Sequence, residues 1–330
     1  MACTAARTCA SSAGRPRIAP GRRQRWYDCV VTAKAIVGCA LVALLSGCGD
    51  DDAGSDGGAA ADAGAFDAGP PRDSGSTDAP FTPGPDGGDV DAGARVVWHP
   101  TPGTSWQWQL SGTLDTTVDA VMYDVDLVET AATIVRLLHG AGRVVICYFS
   151  AGTIEEGRPD FAEFPASAIG MTLPDWPMER WVDTRDATVR DIMRRRLDLA
   201  VMRGCDGVEP DNVDAFANAS GFPLTAADQL DYNRFIASEA HARGLSVGLK
   251  NDLDQVATLV GDFDWALDEE CFQYSECDQL QPFIDAGKAV FQVEYGDAAL
   301  AATVCPQANA LDFDTLIKNV DLDAWRIACR

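Results

Sequence analysis

The chain has 330 residues, 47% hydrophobic and 23% charged, with a formal charge of −24. Residues 1–47 hold seven basic groups and one acid, so everything from Cys48 onward carries −30. That acidity excludes binding to DNA or RNA through phosphates, which needs a basic footprint, and no stretch of 18 or more apolar residues lies beyond residue 48 to span a membrane.

Residues 15–34 carry Arg15, Arg17, Arg22, Arg23, Arg25 and Lys34, and an apolar run from Ala35 to Leu45 follows. Ser46, Gly47 and Cys48 come next. A charged region, a short apolar core and small residues predict a signal peptide over residues 1–47. Leu45-Ser46-Gly47-Cys48 resembles a bacterial lipobox, which implies cleavage before Cys48 and lipidation of that cysteine. An ordinary signal peptide that happens to contain a cysteine is the alternative. Several acyl chains anchor stably where one does not.

Residues 49–94 are almost entirely Gly, Ala, Asp, Pro, Ser and Thr, with eleven Asp and no Glu. They cannot bury enough apolar surface to offset their ordering entropy, so residues 48–94 are expected to be a disordered, self-repelling tether. The spaced loop of a calcium site, with its terminal Glu, is absent.

Residues 95–330 repeat one unit: a helical stretch, a Gly, a short apolar strand, then polar residues. It recurs at His139–Ser150, Arg203–Asn212, Arg243–Asn251 and Ala286–Tyr295. Gly after the last helical turn supplies a left-handed cap, and alternating strands and helices imply a parallel sheet. Val128, Ala131, Ile134, Val135 and Leu138 form one apolar helical stripe. Val189, Ile192, Met193, Leu197 and Ala200 form another after Asp186 as cap, and Thr225 with Asp228 reads as a capping box. Strands are predicted at 105–109, 120–124, 144–149, 207–211, 246–250, 263–268, 289–295 and 324–329. Eight strands suggest an α/β fold closed into a (β/α)8 TIM barrel, with an open doubly wound sheet as the alternative. No Gly-x-Gly-x-x-Gly follows a first strand, so a dinucleotide site lacks support.

A barrel of this kind carries its site at the C-terminal ends of the strands. Those ends read Tyr123-Asp124-Val125-Asp126, Tyr148, Glu209-Pro210-Asp211-Asn212, Lys250-Asn251-Asp252, Asp268-Glu269-Glu270 and Glu294-Tyr295. Helix capping accounts for some of these acids, but poorly for Glu209 and Glu294 inside apolar strands. The three histidines, His99, His139 and His241, have no ligand spacing, so no metal is expected. Paired carboxylates point instead to glycoside hydrolysis, one acting as acid and one as nucleophile or base. Trp176, Trp181 and Tyr148 could stack on sugar faces or simply pack.

The segments Tyr123-Asp-Val-Asp126, Cys147-Tyr-Phe-Ser-Ala-Gly152, Asp175-Trp-Pro-Met-Glu-Arg-Trp-Val-Asp183, Asp206-Gly-Val-Glu-Pro-Asp-Asn-Val-Asp214, Gly248-Leu-Lys-Asn251 and Glu269-Glu-Cys-Phe272 occur in this order. They resemble glycoside-hydrolase family 114, the endo-α-1,4-polygalactosaminidase-like TIM barrels, over about residues 96–330. The resemblance implies a retaining endo-hydrolase of α-1,4-linked galactosamine polymers; no cofactor is expected. It places the catalytic pair at Asp211 and Glu269, with Asp211 assigned as nucleophile and Glu269 as general acid/base. Glu270 competes with Glu269, and Glu209 competes with Asp211 because both share one strand parity. Asp124, Tyr148, Lys250, Glu294 and Tyr295 are expected to line the sugar subsites together with whichever carboxylates are not catalytic. The alternative function is a non-catalytic carbohydrate-binding barrel.

Six cysteines remain in the folded part: Cys147, Cys205, Cys271, Cys277, Cys305 and Cys329. An even number in an exported domain favours disulfides. Cys271 with Cys277 and Cys305 with Cys329 are the expected pairs, and Cys147 reads as a buried free thiol. The expected partners are an amino-sugar polysaccharide and, through the lipid anchor only, a membrane of the cell envelope. Nucleic acid is excluded and a monomer is expected.

Overall fold

The computed structural model describes residues 96–330. The signal peptide, Cys48 and the tether expected over 1–94 lie outside the described residues.

Nine strands form one sheet. They are β1 (Trp106–Gln109), β2 (Met122–Asp126), β3 (Val144–Ser150), β7 (Gly207–Asp211), β8 (Ser246–Lys250), β9 (Trp265–Glu269), β10 (Val290–Tyr295), β11 (Asp314–Lys318) and β12 (Arg326–Ala328). The first eight are mutually parallel and follow chain order around the sheet. An open doubly wound sheet would reverse direction partway; this one never does, and the fold is a nearly closed TIM barrel. The seam between its first and last strands is tied by side chains. Gln107 Nε2 donates to the Ala324 carbonyl at 3.1 Å, and the Arg326 guanidinium donates to the Trp106 carbonyl.

The helices are α1 (Ala132–Gly140), α2 (Ala187–Arg203), α3 (Ala226–His241), α4 (Val256–Leu259), α5 (Cys271–Tyr274), α6 (Gln281–Asp285) and α7 (Ala298–Ala310). Asp186 accepts from the amides of Thr188 and Val189 at the start of α2, and Gly204 ends it at φ 93°. The Thr225–Asp228 capping box opens α3. All five expected stripe residues of α2 are buried. In α1 Val135 and Leu138 are buried and Ile134 partly so, while Val128 and Ala131 precede the helix.

Strand alternation separates two cores. Trp106, Trp108, Met122, Ile146, Trp265, Leu267, Phe291, Val293 and Leu316 pack together inside the barrel. Residues of the opposite parity, including Tyr123, Val145, Val208, Val247 and Ala266, pack outward with the helices. Gly248 makes the interior possible, since a Cβ there would sit 2.3 Å from the Trp265 ring.

Three expectations need correction. The eighth parallel strand is β11, not 324–329; residues 326–328 pair antiparallel beyond it. The turn before β11 uses Asp312 at φ 62° instead of glycine, so the helix–Gly–strand signal was missing. A second sheet of β4 (Thr153–Glu155), β5 (Ile169–Thr172) and β6 (Glu179–Val182) is inserted after β3 and was not expected. Finally, Cys147 is not free. It faces the outer layer of β3 and bonds Cys205, which lies just before the neighbouring strand β7. The Cys271–Cys277 and Cys305–Cys329 pairs are as expected. Peptide mapping of the unreduced, alkylated protein should link the Cys147 and Cys205 peptides; alkylation of either would overturn the pairing.

Asp252 leaves the end of β8 at φ 48° and is buried. Asn233 Nδ2 donates to its Oδ2 at 2.8 Å, while Oδ1 has no donor. Burial pushes the carboxyl up to about 9. It is therefore protonated in folded and unfolded chains below its unfolded value of about 3.9, and the fold loses stability as pH rises from there toward 9. Asn tolerates the left-handed backbone and carries no acid. Asp252→Asn should raise Tm at pH 8 and change it little at pH 4; equal shifts at both would contradict this.

Candidate active site

Alternation brings the last inward-facing residues of adjacent strands together at the C-terminal mouth. Lys250, ending β8, is at their centre. Its Nζ contacts Glu209 Oε1 at 3.1 Å, Asp211 Oδ1 at 3.2 Å and Glu269 Oε2 at 3.1 Å. The ammonium also lies 4.9 Å from the centre of the Trp108 ring, on its face. Burial alone would pull this lysine down. The surrounding Asp211, Glu269 and Glu209 outweigh it and hold Lys250 well above the ordinary lysine range.

Each of two carboxylates meets Lys250 on one side and a tyrosine on the other. Tyr148 donates to Asp211 Oδ2 at 3.1 Å, and Tyr295 donates to Glu269 Oε1. The Asn212 amide adds a third donor to Asp211 at 2.7 Å. Asn251 fixes the other strand end by accepting from the Glu269 amide at 3.0 Å. Burial, then Asp211, raises the Tyr148 phenol well above its usual range; burial, then Glu269, does the same for Tyr295. Both therefore remain donors. Asp211 is 18% exposed and Glu269 25%, whereas Glu209 is fully buried. Accessibility therefore separates Asp211 from its strand-mate Glu209: of the two, only Asp211 reaches solvent.

Asp124 and Glu209 form the floor. Both are fully buried, and the Trp108 indole donates to Glu209 Oε2 at 3.0 Å. Neither residue, both expected among the sugar subsites, is exposed at the mouth. Glu294 is not in the group either. Next to Tyr295 on β10, it has the opposite parity and accepts from the Phe272 amide at 2.9 Å and from Gln292 at 2.8 Å. Burial pushes it up to about 7. Glu270 turns the chain off β9 at φ 65°.

Sequence reasoning missed Trp108, although its parity in β1 with Trp106 was a usable signal. It also missed the acidic wall of the inserted sheet. There Arg158 binds Asp126 at 2.7 Å and Glu155 at 2.8 Å, and Thr153 donates to Glu179 at 2.8 Å. Burial and Glu155 push Glu179 up to about 7. Trp181 is buried and Trp176 half exposed, so of these two only Trp176 is available for stacking.

A parallel barrel whose mouth presents two accessible carboxylates on strands separated by one other has the groups that a glycoside hydrolase needs. Comparison with known proteins agrees. The model of glycoside-hydrolase family GH114 matches residues 88–330, and the chain belongs to that family. It is a glycoside hydrolase of the endo-α-1,4-polygalactosaminidase-like type. The crystal structure of Aspergillus fumigatus Ega3 in complex with galactosamine is 42% identical, with TM-score 0.69, over 71% of this chain and 98% of that one. The glycoside hydrolase domain of PelA from Pseudomonas aeruginosa shares the fold at 12% identity and TM-score 0.55, over 68% and 97%. An uncharacterized protein of Deinococcus radiodurans is 27% identical over 210 residues, 54% of this chain and 68% of that protein.

Removing Lys250 leaves a buried Glu209 without its cation. Lys250→Met should lower stability by on the order of 3–5 kcal/mol in urea unfolding. Glu209→Gln in the same chain should recover part of that loss; no recovery would mean the two do not act as a buried ion pair.

Proposed function

We propose that this protein is a surface-tethered, retaining endo-glycosidase that hydrolyses α-1,4-linked galactosamine-containing polysaccharide. Asp211 is the nucleophile and Glu269 the general acid/base. The observation that carries this reading is the pair of accessible carboxylates held against one ammonium.

Asp211 Oδ1 and Glu269 Oε2 lie 3.2 and 3.1 Å from the same nitrogen, so they are at most about 6.3 Å apart. That nearest-oxygen limit is compatible with the ~5–5.5 Å between the carboxyl groups of retaining pairs. Three donors fix the orientation of Asp211, which suits a group that must attack one carbon from one direction. Glu269, the more exposed of the two, gives its proton to the leaving glycosidic oxygen while Asp211 bonds the anomeric carbon. It then takes a proton from the water that releases the sugar.

Substrate choice rests on charge and on kinship. The mouth and its inserted wall are rich in carboxylates, which favour a polymer bearing ammonium groups. The structure of Ega3 was solved with galactosamine. Export through the residue 1–47 signal, with Cys48 as lipid anchor and residues 48–94 as tether, fits a domain carrying three disulfides. Among the described residues no helix is long and apolar enough to cross a membrane.

Reducing-end release from partially deacetylated α-1,4-galactosaminan tests the reading. Glu269→Gln should lower kcat by on the order of 10²–10⁴, and Asp211→Asn should abolish release, both with Tm preserved. The first product should keep the α configuration by NMR. Full activity in either variant, or a β product, would sink the assignment; binding without release would favour a carbohydrate-binding barrel.

A further inference from the structure

Beneath the two accessible carboxylates lie two more that the mechanism does not use. Asp124, on β2, and Glu209, on β7, are both fully buried inside the barrel. No N–H donor reaches either oxygen of Asp124. Trp108 pairs in register with Asp124 and donates to Glu209, which brings the two carboxyls close enough to share a hydrogen bond. Two carboxyl groups can make that bond only if one of them bears a proton. Glu209 already accepts from the Trp108 indole on one oxygen and from Lys250 on the other. Asp124 has no comparable donors, so the proton belongs to it.

We propose that Asp124 and Glu209 form a buried positioning pair with one proton and one negative charge, which seats Lys250 and offsets its ammonium so that Glu269 can keep the proton it delivers. This rests on Glu269 being the acid. An ammonium in contact with an acid competes with the acid's own proton. A buried anion on the far side of that ammonium weakens the competition without touching substrate.

Burial, then Glu209, raises Asp124 well above the usual carboxylate range. Burial also pushes Glu209 up, to about 7, against the pull of Lys250 and the proton of Asp124. Every element around Glu209 contributes a group. Trp108 comes from β1, Asp124 from β2, Tyr148 from β3, Asp211 from β7 itself and Lys250 from β8. Glu269 of β9 and Tyr295 of β10 join through Lys250. Of these, Lys250 carries the positive charge, and Asp211 opposes the ionisation of Glu209. Asp124 is thus the neighbour whose hydrogen bond tips Glu209 toward its ionised form without adding charge.

The test is the pH profile of kcat/KM for the intact protein. Glu209→Gln removes the anion, and Asp124→Leu removes the donor that sustains it. Both should move the basic limb to lower pH by on the order of one unit, with kcat falling more than KM changes. Asp124→Asn still donates a hydrogen bond to Glu209 and should keep the limb where the wild type has it. A shift in Asp124→Asn equal to that in Asp124→Leu, or an unmoved limb in Glu209→Gln, would overturn the proposal.

An infrared difference spectrum of wild type minus Asp124→Asn, at neutral pH, supplies a readout independent of activity and of whether the leucine variant folds. A protonated carboxyl band should appear in the wild type, and its absence would overturn the proposal. If the wild-type protein does not cleave the polymer, the functional reading fails by itself, and the infrared band decides the state of the pair.

Discussion

The Lys250 ammonium, buried at the centre of the barrel mouth, is the contact on which the site depends. It touches carboxylates from the two strands flanking its own, and it is sealed below by an indole face. Charges in such a place are costly to desolvate and worth keeping only when every one is answered. Here they are: three acids meet one cation, two tyrosines meet the two exposed acids, and an indole and an Asp124 proton meet the buried one. Removing the cation leaves the fully buried acid unbalanced. The arrangement therefore specifies geometry more than it adds stability.

The barrel supplies that geometry through alternation. Inward residues of each strand stack as layers, apolar at the bottom and polar at the top. The lower layers hold Trp106, Trp265 and Phe291, and a glycine at 248 leaves room for the Trp265 ring. Because these rings fill the interior, the polar layer cannot sink. Water is excluded from below, and the carboxylates open only toward the mouth. The inserted sheet after β3 adds an acidic wall on one side of the mouth, with Glu179 near Asp211.

Much of the fold could be read in advance because it rests on local signals. Asp186 and the Thr225–Asp228 box are helix starts by chemistry alone, and both are observed. The strand ends carrying Asp211, Lys250 and Glu269 were legible as polar residues closing apolar runs. The misses have physical causes. Asp312 replaces glycine before β11, so the repeat lost its marker there. The strands β4, β5 and β6 are three or four residues each, too short for periodicity. Cys147 pairs with a residue 58 positions away, brought near only because β3 and β7 are neighbours in the sheet. Glu294 and Tyr295 adjoin in sequence and were grouped, yet strand alternation sends them to opposite faces.

By itself the sequence determined the class of fold, the order of its units and the chemistry available at the strand ends. These follow from composition, capping and period, which act over a few residues. Only the tertiary structure decided which of the many carboxylates can meet a substrate. Glu209 and Asp211 have the same parity and nearly the same neighbours in sequence. One is sealed against Trp108 and Asp124 while the other reaches the mouth, because depth in a closed barrel is set by strands distant in the chain. Burial and the position of Lys250 are long-range quantities, and they separate an acid that can react from one that can only hold charge.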